Sequence, residues 1–495
     1  MGTIDRRDFL KGLGAGAAGI YGPGALAGSS RGNAQEAPHI VYILADDLGF
    51  GDVGYQNADS KIPTPNIDRL ARQGRRFTDA HSSSAVCTPT RYGLLTGRYS
   101  WRTRLKKGVL WPPAKPLISR HRMTAASLLK RQGYSTACVG KWHLGIDGGW
   151  KDRDWSKPLK GGPVDRGFDY YFGIPASLDI PPYYYIENDR VVEPPTEHIE
   201  ASHTEGVTKI QGAFWREGGI APNFRHEEVQ PTLIEKSRKF IKRQHKNSPD
   251  SPFFLYLPLA APHTPWLPLD EYRGVSGAGM YGDFVAQVDD GVGRVLSLLE
   301  SLDIRDDTLV FFSSDNGPVW FRADRQRTGH DATGPLRGMK IDAWEGGHRM
   351  PFLARWPGNI PAGCKSDEPV AFTDMLATFA SLVGDELEAG QGSDSFDISD
   401  ILTAPYHAEK LERPTIIQDR AVLHDGWKLI YGNAQGGLSR RYGAEKHPRR
   451  EGWLYDLDED LGETNNLYKD RPDVAERLRG LVKKAKKKGH TRPMG

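Results

Sequence analysis

Four short apolar runs in this chain, Ile40 to Ala45, Ser135 to Val139, Phe253 to Leu259 and Leu309 to Ser313, are each followed by residues able to bind or move charge. The first leads into Asp46-Asp47, the second into Lys141 and His143, the third into His263, and the fourth into Asp315-Asn316. If Asp46, Asp47 and Asp315 converge, their mutual repulsion raises pKa values or loosens the fold unless a cation neutralises them. With the Asn316 amide as a fourth donor the set is all oxygen. That suits a hard cation, and calcium tolerates irregular oxygen geometry better than magnesium. Zinc would be expected to recruit the histidines. Lys141 offers compact positive charge, while His143 and His263 can exchange a proton near neutral pH, so the same ends could bind and protonate an anion. Taken singly, Asp46-Asp47 could merely cap a turn before Gly49, and a histidine after a strand could be structural. Their clustering at four run ends favours a site.

For those ends to meet, the runs must lie side by side. Apolar, β-rich runs separated by helix-like segments predict an α/β fold, with a large, mainly parallel sheet buried on both faces and flanked by helices. In such sheets ligands bind outside the carboxyl ends of the strands. Thr64-Pro65-Asn66-Ile67 opens a helix with proline in its first turn, and Gly74 is available to stop it. From Ile146 to Thr232 glycine, proline and aromatic residues crowd the chain with little periodicity, which predicts long surface loops. Aromatic residues in the loops, such as Tyr183 to Tyr185, Trp215 or, further on, Trp320, could stack on a ligand ring, although packing is their commoner role. After Thr403 the pattern changes to two-residue alternation at Trp427 to Tyr431 and Trp453 to Leu457, then a charged helix from about Asp473. This predicts a C-terminal subdomain, 403–495, of antiparallel sheet plus helix, beside a catalytic domain at 36–402. The run Lys483-Lys484-Ala485-Lys486-Lys487-Lys488 is expected to be a solvated helix end, with polyanion binding as the alternative.

The whole-chain charge supplies no partner of its own. Lys and Arg number 66 and Asp and Glu 63, so there is no strong field for nucleic acid or an anionic membrane. At the N-terminus, Arg6-Arg7-Asp8-Phe9-Leu10-Lys11 precedes a Gly/Ala-rich apolar stretch ending in Ala25-Leu26-Ala27, which resembles a twin-arginine export signal over 1–27. The stretch is too short and too glycine-rich to span a bilayer, for which about 20 apolar residues are needed. Export through the twin-arginine translocase, a periplasmic or secreted location and no stable membrane insertion are expected. Three cysteines, Cys87, Cys138 and Cys364, are an odd number for an exported chain and form no CxxC pair. Whether Cys138 and Cys364 meet is left open by the sequence.

One of those cysteines sits in a motif. Cys87-Thr88-Pro89-Thr90-Arg91, followed by Leu94-Leu95-Thr96-Gly97-Arg98, resembles the activation signature of formylglycine-dependent sulfatases of the alkaline phosphatase superfamily. The companions stand in family order: Asp46-Asp47, Gly140-Lys141-Trp142-His143, His263, Asp315-Asn316-Gly317, and Gly334 to Lys340 leading to Trp344-Glu345-Gly346-Gly347. The segment from Gly334 to Trp356 is most similar to the arylsulfatase and N-acetylgalactosamine-6-sulfatase branch. The resemblance implies that a formylglycine-generating enzyme oxidises Cys87 to formylglycine (3-oxoalanine), whose hydrate carries two hydroxyls on one carbon. One would attack sulfur; the other would let sulfate leave, where a serine would be stranded as its ester. It also implies one calcium ion held by Asp46, Asp47, Asp315, Asn316 and the modified Cys87, with Asp315 doubling as a base. Lys141 and Lys340 would neutralise the sulfate, His263 would protonate the leaving oxygen, and His143 would help release sulfate. Pro89 suits a first helical turn, which puts Cys87 at a helix N-terminus and Arg91 one turn on, facing the same side. A buried structural thiol is the alternative for Cys87.

The implied activity is removal of sulfate from a sulfated carbohydrate. Two other readings stand beside it: a phosphonate monoester hydrolase or phosphodiesterase of the same superfamily, and an inactive carbohydrate-binding relative. His330 and Arg337 sit where a substrate pocket could use them, although a structural role alone could explain both. The sequence leaves open the sugar, the sulfated position, exo or endo action, and the oligomeric state.

Overall fold

The computed structural model describes residues 37–147, 153–404, 416–418, 420–444, 446–448 and 450–493. The expected export signal, 1–27, therefore lies outside the described residues.

Ten strands form the main sheet: β1 (His39–Asp46), β2 (Arg75–Phe77), β3 (Ser135–Lys141), β4 (Tyr170–Ile174), β5 (Ile186–Glu187), β6 (Arg190–Val191), β7 (Phe253–Pro262), β8 (Thr308–Ser314), β9 (Phe352–Arg355) and β10 (Cys364–Ser366). Their order is β10-β2-β9-β8-β1-β7-β3-β4-β5-β6. The central five, β8-β1-β7-β3-β4, are all parallel, and the antiparallel pairings lie toward the edges. This is the expected mixed, mainly parallel α/β sheet. The four apolar runs singled out in the sequence are contiguous neighbours, β8-β1-β7-β3, so their carboxyl ends share one edge. Each is almost wholly buried, as a parallel strand covered on both faces must be.

Two groups of helices cover the sheet. In one, α1 (Pro65–Gln73) and α4 (Val229–Asn247) pack against α5 (Gly279–Ser301); in the other, α2 (Cys87–Thr96), α3 (Ala125–Arg131) and α6 (Met375–Leu382) pack together. Helix α1 starts with Pro65 and buries Ile67, Leu70 and Ala71. All ten residues of α2 are buried, and it stops at Gly97, whose φ of 59° is the left-handed conformation glycine adopts freely.

The stretch from 146 to 232 is not purely surface loop. It contributes β4 to the buried sheet, and Tyr183 and Tyr184 are 2% and 0% exposed. The strand Tyr-Tyr-Phe-Gly-Ile is aromatic and lies among proline and glycine, so its period is hidden in the sequence. Its aromatics pack on protein: Phe172 stacks with Tyr185 at 5.2 Å, and Trp215 stacks with His226 at 4.8 Å.

The second, antiparallel sheet, β11 (Ile416–Ile417), β12 (Ala421–His424), β13 (Trp427–Tyr431) and β14 (Gly452–Asp456), carries α7 (Pro472–Lys488). Leu429 packs with Tyr99 and the α7 residues Val474 and Leu478, whereas its neighbour Ile430 packs with Ala343 and Trp344. The alternation seen in the sequence thus buries both faces of this sheet. The lysines at the end of α7 are exposed around buried Ala485, as a solvated helix end should be. Cys138 on β3 and Cys364 on β10 are six strand spacings apart, roughly 29 Å, so they do not pair with each other. Among the described residues no helix is long and apolar enough to cross a membrane.

Candidate active site

Asp46 is the last residue of β1 and Lys141 the last of β3, while His263 and Asp315 immediately follow β7 and β8. The pairing of β1 with β7 shifts between Leu44 and Asp46, setting Asp46 opposite Pro262 and so beside His263. Asp47 then turns sharply, with φ of 66°. From the other side α2 brings in Cys87 at its first residue and Arg91 one turn on, and a loop returns Lys340.

These groups meet. Asp46, Asp47, Cys87 and His263 each offer a ligand atom within 4.8 Å of the others. The Arg91 guanidinium bonds Asp315 Oδ2 through Nε at 2.9 Å, approaches Asp46 Oδ2 at 3.2 Å, and donates to the Lys141 carbonyl at 2.8 Å. It therefore steadies the two carboxylates and the end of β3, and shows no hydrogen bond to Cys87. Lys141 pairs with Asp46. Lys340 bridges Asp47 Oδ1 at 2.5 Å and the Cys87 sulfur at 3.7 Å. Asn316 donates to Asp47 Oδ1 at 2.6 Å. Two oxygens, Asp46 Oδ1 and Asn316 Oδ1, are buried with no hydrogen-bond partner among the described residues. Three carboxylates and an amide with orphaned oxygens form a donor set that could hold a hard cation.

The charges within the cluster explain its titration. Burial alone would raise the Asp46 carboxyl, but Lys141, His263, Arg91 and Lys340 hold it far below the usual range. Asp315 is pushed up to about 6 by burial and by the Asp46 charge. The Cys87 thiol is pushed up to about 12 by burial, against the pull of Lys141 and Lys340. An unmodified Cys87 is therefore a neutral thiol at neutral pH and a poor nucleophile. His143 is driven well below its ordinary value by burial and by Lys141, so it is neutral. Its Nε2 bonds the Leu110 carbonyl at 3.0 Å, which requires the proton there and leaves the buried Nδ1 as a lone-pair acceptor. His263 is the reverse: Nδ1 donates to the Thr264 carbonyl at 2.6 Å, and Nε2 faces Asp47 Oδ2 at 3.7 Å.

The residues expected to hold calcium or take part in the reaction lie in or beside this cluster, which opens into a cavity of about 620 Å³ lined in part by Asp47, Cys87, His143, His263 and Lys340. Neither His330 nor Arg337 lines it. His330 is fully buried and bonds Asp52 at 2.8 Å, while Arg337 stacks over Trp344 at 4.2 Å. Trp320 is also core, donating to the His330 carbonyl. Sequence reasoning missed the outer wall of the cavity, including Lys107, Trp111, Phe214 and Arg216. They come from aperiodic loops; the one available signal was Trp111 ahead of Pro112-Pro113, an aromatic in a segment too polar and proline-rich to form core.

The Sulfatase family model matches residues 38–385, which contain the whole of this cluster. The chain belongs to the sulfatase family. It is 34% identical over 493 residues to N-acetylgalactosamine-6-O-sulfatase of Bacteroides thetaiotaomicron, covering 92% of this chain and 94% of that one. It is also 34% identical over 372 residues to arylsulfatase A of Homo sapiens, covering 74% of this chain and 68% of the relative. A solved structure described under the metabolism of multiple glycosaminoglycans by Bacteroides thetaiotaomicron superposes with a TM-score of 0.78 at 31% identity, covering 92% of this chain and 100% of that one. This sulfatase is thus an enzyme of the arylsulfatase and N-acetylgalactosamine-6-sulfatase branch.

Proposed function

We propose that this sulfatase removes sulfate from a sulfated carbohydrate, with the 6-sulfate of an N-acetylgalactosamine unit as the first substrate to test, using a nucleophile made from Cys87. Near full-length similarity to a relative named for that sugar supports the substrate. The observation that carries the reaction is Cys87 at the N-terminus of α2, with Lys340 3.7 Å from its sulfur and ligand atoms of Asp46, Asp47 and His263 within 4.8 Å of it. Conversion of Cys87 to formylglycine by a maturation enzyme would replace an unreactive thiol with a geminal diol able to attack sulfur and later release it. The orphaned oxygens of Asp46 and Asn316, with Asp47 and Asp315, fit calcium, which when bound would neutralise sulfate oxygens and acidify the attacking hydroxyl.

The chain's own residues do the rest. Asp46, Asp47 and Asp315 are matched by Arg91, Lys141 and Lys340, so a dication and an anionic ester can both enter without leaving a large charge buried. Lys141 and Lys340 counter the negative charge that moves toward the leaving oxygen. His263 delivers a proton to that oxygen from Nε2, because Nδ1 is fixed on the Thr264 carbonyl. Asp315 can accept the proton of the attacking hydroxyl, and His143 Nδ1, a buried acceptor with no partner among the described residues, can accept one during sulfate release. The N-terminal 27 residues would direct the folded, matured protein through the twin-arginine translocase to the periplasm or beyond.

The test is sulfate release from defined saccharides by protein coexpressed with a formylglycine-generating enzyme, with intact mass confirming conversion of Cys87. Release from 6-sulfated but not 4-sulfated N-acetylgalactosamine units, abolished by chelation and restored by calcium, is the expected result. Turnover of an aryl phosphate diester in preference to any sulfate would establish the phosphonate hydrolase or phosphodiesterase reading instead. No turnover of any ester by fully converted protein would leave a binding protein.

A further inference from the structure

The outer wall of the cavity is built differently from its floor. Trp111 is 53% exposed, an unusual state for so large an apolar side chain, yet it lines the cavity that holds Cys87. Its loop is tied to the reaction centre at the preceding residue: the Leu110 amide donates to Thr88 Oγ1 at 3.2 Å, and the Leu110 carbonyl receives the His143 ring proton. The Arg216 guanidinium lies 5.0 Å from the centroid of Trp111 and equally 5.0 Å from that of Phe214. Asp179 fixes it from behind, since Arg216 Nη1 bonds both Asp179 Oδ2 at 2.5 Å and the Asp179 carbonyl at 2.9 Å. That uses one nitrogen. Nε and Nη2 of Arg216 have no hydrogen-bond partner among the described residues, and these two parallel N–H groups form the edge that grips a carboxylate or sulfate bidentately. The outer lining is also cationic: Lys107, Arg216 and Arg420 against Asp179 leave two positive charges in excess.

We propose that Trp111 and Arg216 form a second binding position for the sugar unit next to the one that loses sulfate, and that it recognises an anionic group there, a carboxylate or a second sulfate. The Trp111 face turned away from Arg216 carries the apolar side of the sugar ring, and the free edge of Arg216 binds the anion. Specificity for a polyanionic saccharide over a neutral one with the same scissile ester is set by these two side chains. This rests on the carbohydrate reading above.

The test uses the matured full-length enzyme and three disaccharides with the same scissile sulfate: one with a carboxylate on the neighbouring unit, one with that carboxylate reduced to an alcohol, and one with a sulfate in its place. The readout is the ratio of kcat/KM for each anionic substrate to that for the neutral one. Wild type should prefer at least one anionic substrate, and the carboxylate and sulfate arms identify which anion is bound. Arg216→Gln should collapse that preference by roughly tenfold to a hundredfold, through KM rather than kcat. Trp111→Ala, a change at an exposed position that the fold tolerates, should raise KM for all three. Thermal unfolding of both variants shows whether they are folded. An unchanged ratio in folded Arg216→Gln, or equal wild-type turnover of the anionic and neutral substrates, overturns the inference and leaves the carbohydrate reading standing. Hydrolysis of an aryl sulfate by wild type with none of the three saccharides turned over overturns both.

Discussion

Lys340 touches both the sulfur of Cys87 and a carboxylate oxygen of Asp47, so one ammonium couples the nucleophile to the donor set. Burial would strip its proton, but Asp47 above all keeps it charged. His263 has the opposite design, with one ring nitrogen fixed on a carbonyl and the other facing the reaction centre. If it serves as the general acid, His263→Ala should lower kcat on a sugar sulfate by about 10²–10⁴, while an aryl sulfate with a good leaving group loses far less. Equal losses on both, measured as kcat under saturation, would remove it from that role. The residue scale was the most legible in the sequence, because charged side chains after apolar runs announce themselves. What could not be read was their pairing. Arg91, one turn beyond Cys87, clamps Asp46 and Asp315, partners 45 and 224 positions away that no local pattern could name.

At the scale of elements, the site depends on strands brought unusually close and on a helix capped from elsewhere. Gly140, one residue before Lys141, has φ of 145°, and a Cβ there would lie 1.8 Å from the Pro258 carbonyl oxygen on the neighbouring strand. Gly140→Ala should therefore push β3 from β7, costing about 1–3 kcal/mol from backbone strain alone and displacing Lys141. Denaturant unfolding and kcat/KM should fall together; unchanged values for both would show that the strands have room. Helix α1 has no cap from its own Thr64 side chain. Asp289, on α5, accepts from the Asn66 and Ile67 amides at 3.1 and 2.8 Å instead. Asp289→Ala should cost on the order of 1–2 kcal/mol in unfolding experiments, and Asp289→Asn clearly less. The helix itself was visible from Pro65 and Gly74, but its cap was not, since the acceptor lies over 200 residues away.

For the whole molecule, the link between the two sheets is a buried charge cluster. Lys428 on β13 pairs with Glu345 at 2.8 Å and Glu463 at 2.9 Å, all fully buried. Burial would raise Glu345, but the Lys428 charge holds it well below its ordinary value. Glu463 is pushed up to about 7 by burial and the Glu345 charge. Because the folded value of Glu463 lies above its ordinary 4.5, its contribution to stability is full at low pH and is lost as pH rises through about 7. Glu463→Gln keeps an acceptor for the Glu345 amide, which donates to Glu463 Oε2 at 2.6 Å, and removes the titration. Its stability relative to wild type should rise by on the order of 1–3 kcal/mol between pH 5 and 8 in denaturant unfolding. A difference that does not change with pH would refute this. The C-terminal sheet was visible as two-residue alternation, whereas the burial of Lys428 within it depends on Glu345 and Glu463, which come from other segments.

The sequence by itself determined the fold class, the four strand ends, and the likeness of Cys87 and its companions to sulfatases. These properties are local: hydrophobic period, turn residues and motif spacing are written in consecutive positions. Only the tertiary structure decided which carboxylate each cation serves, that His330, Arg337 and Trp320 are packing residues, and that Trp111 and Arg216 line the cavity wall. Those outcomes depend on contacts between segments far apart in sequence and on loops with no period to read. In such loops an aromatic ring is exposed or buried according to what the rest of the chain packs against it.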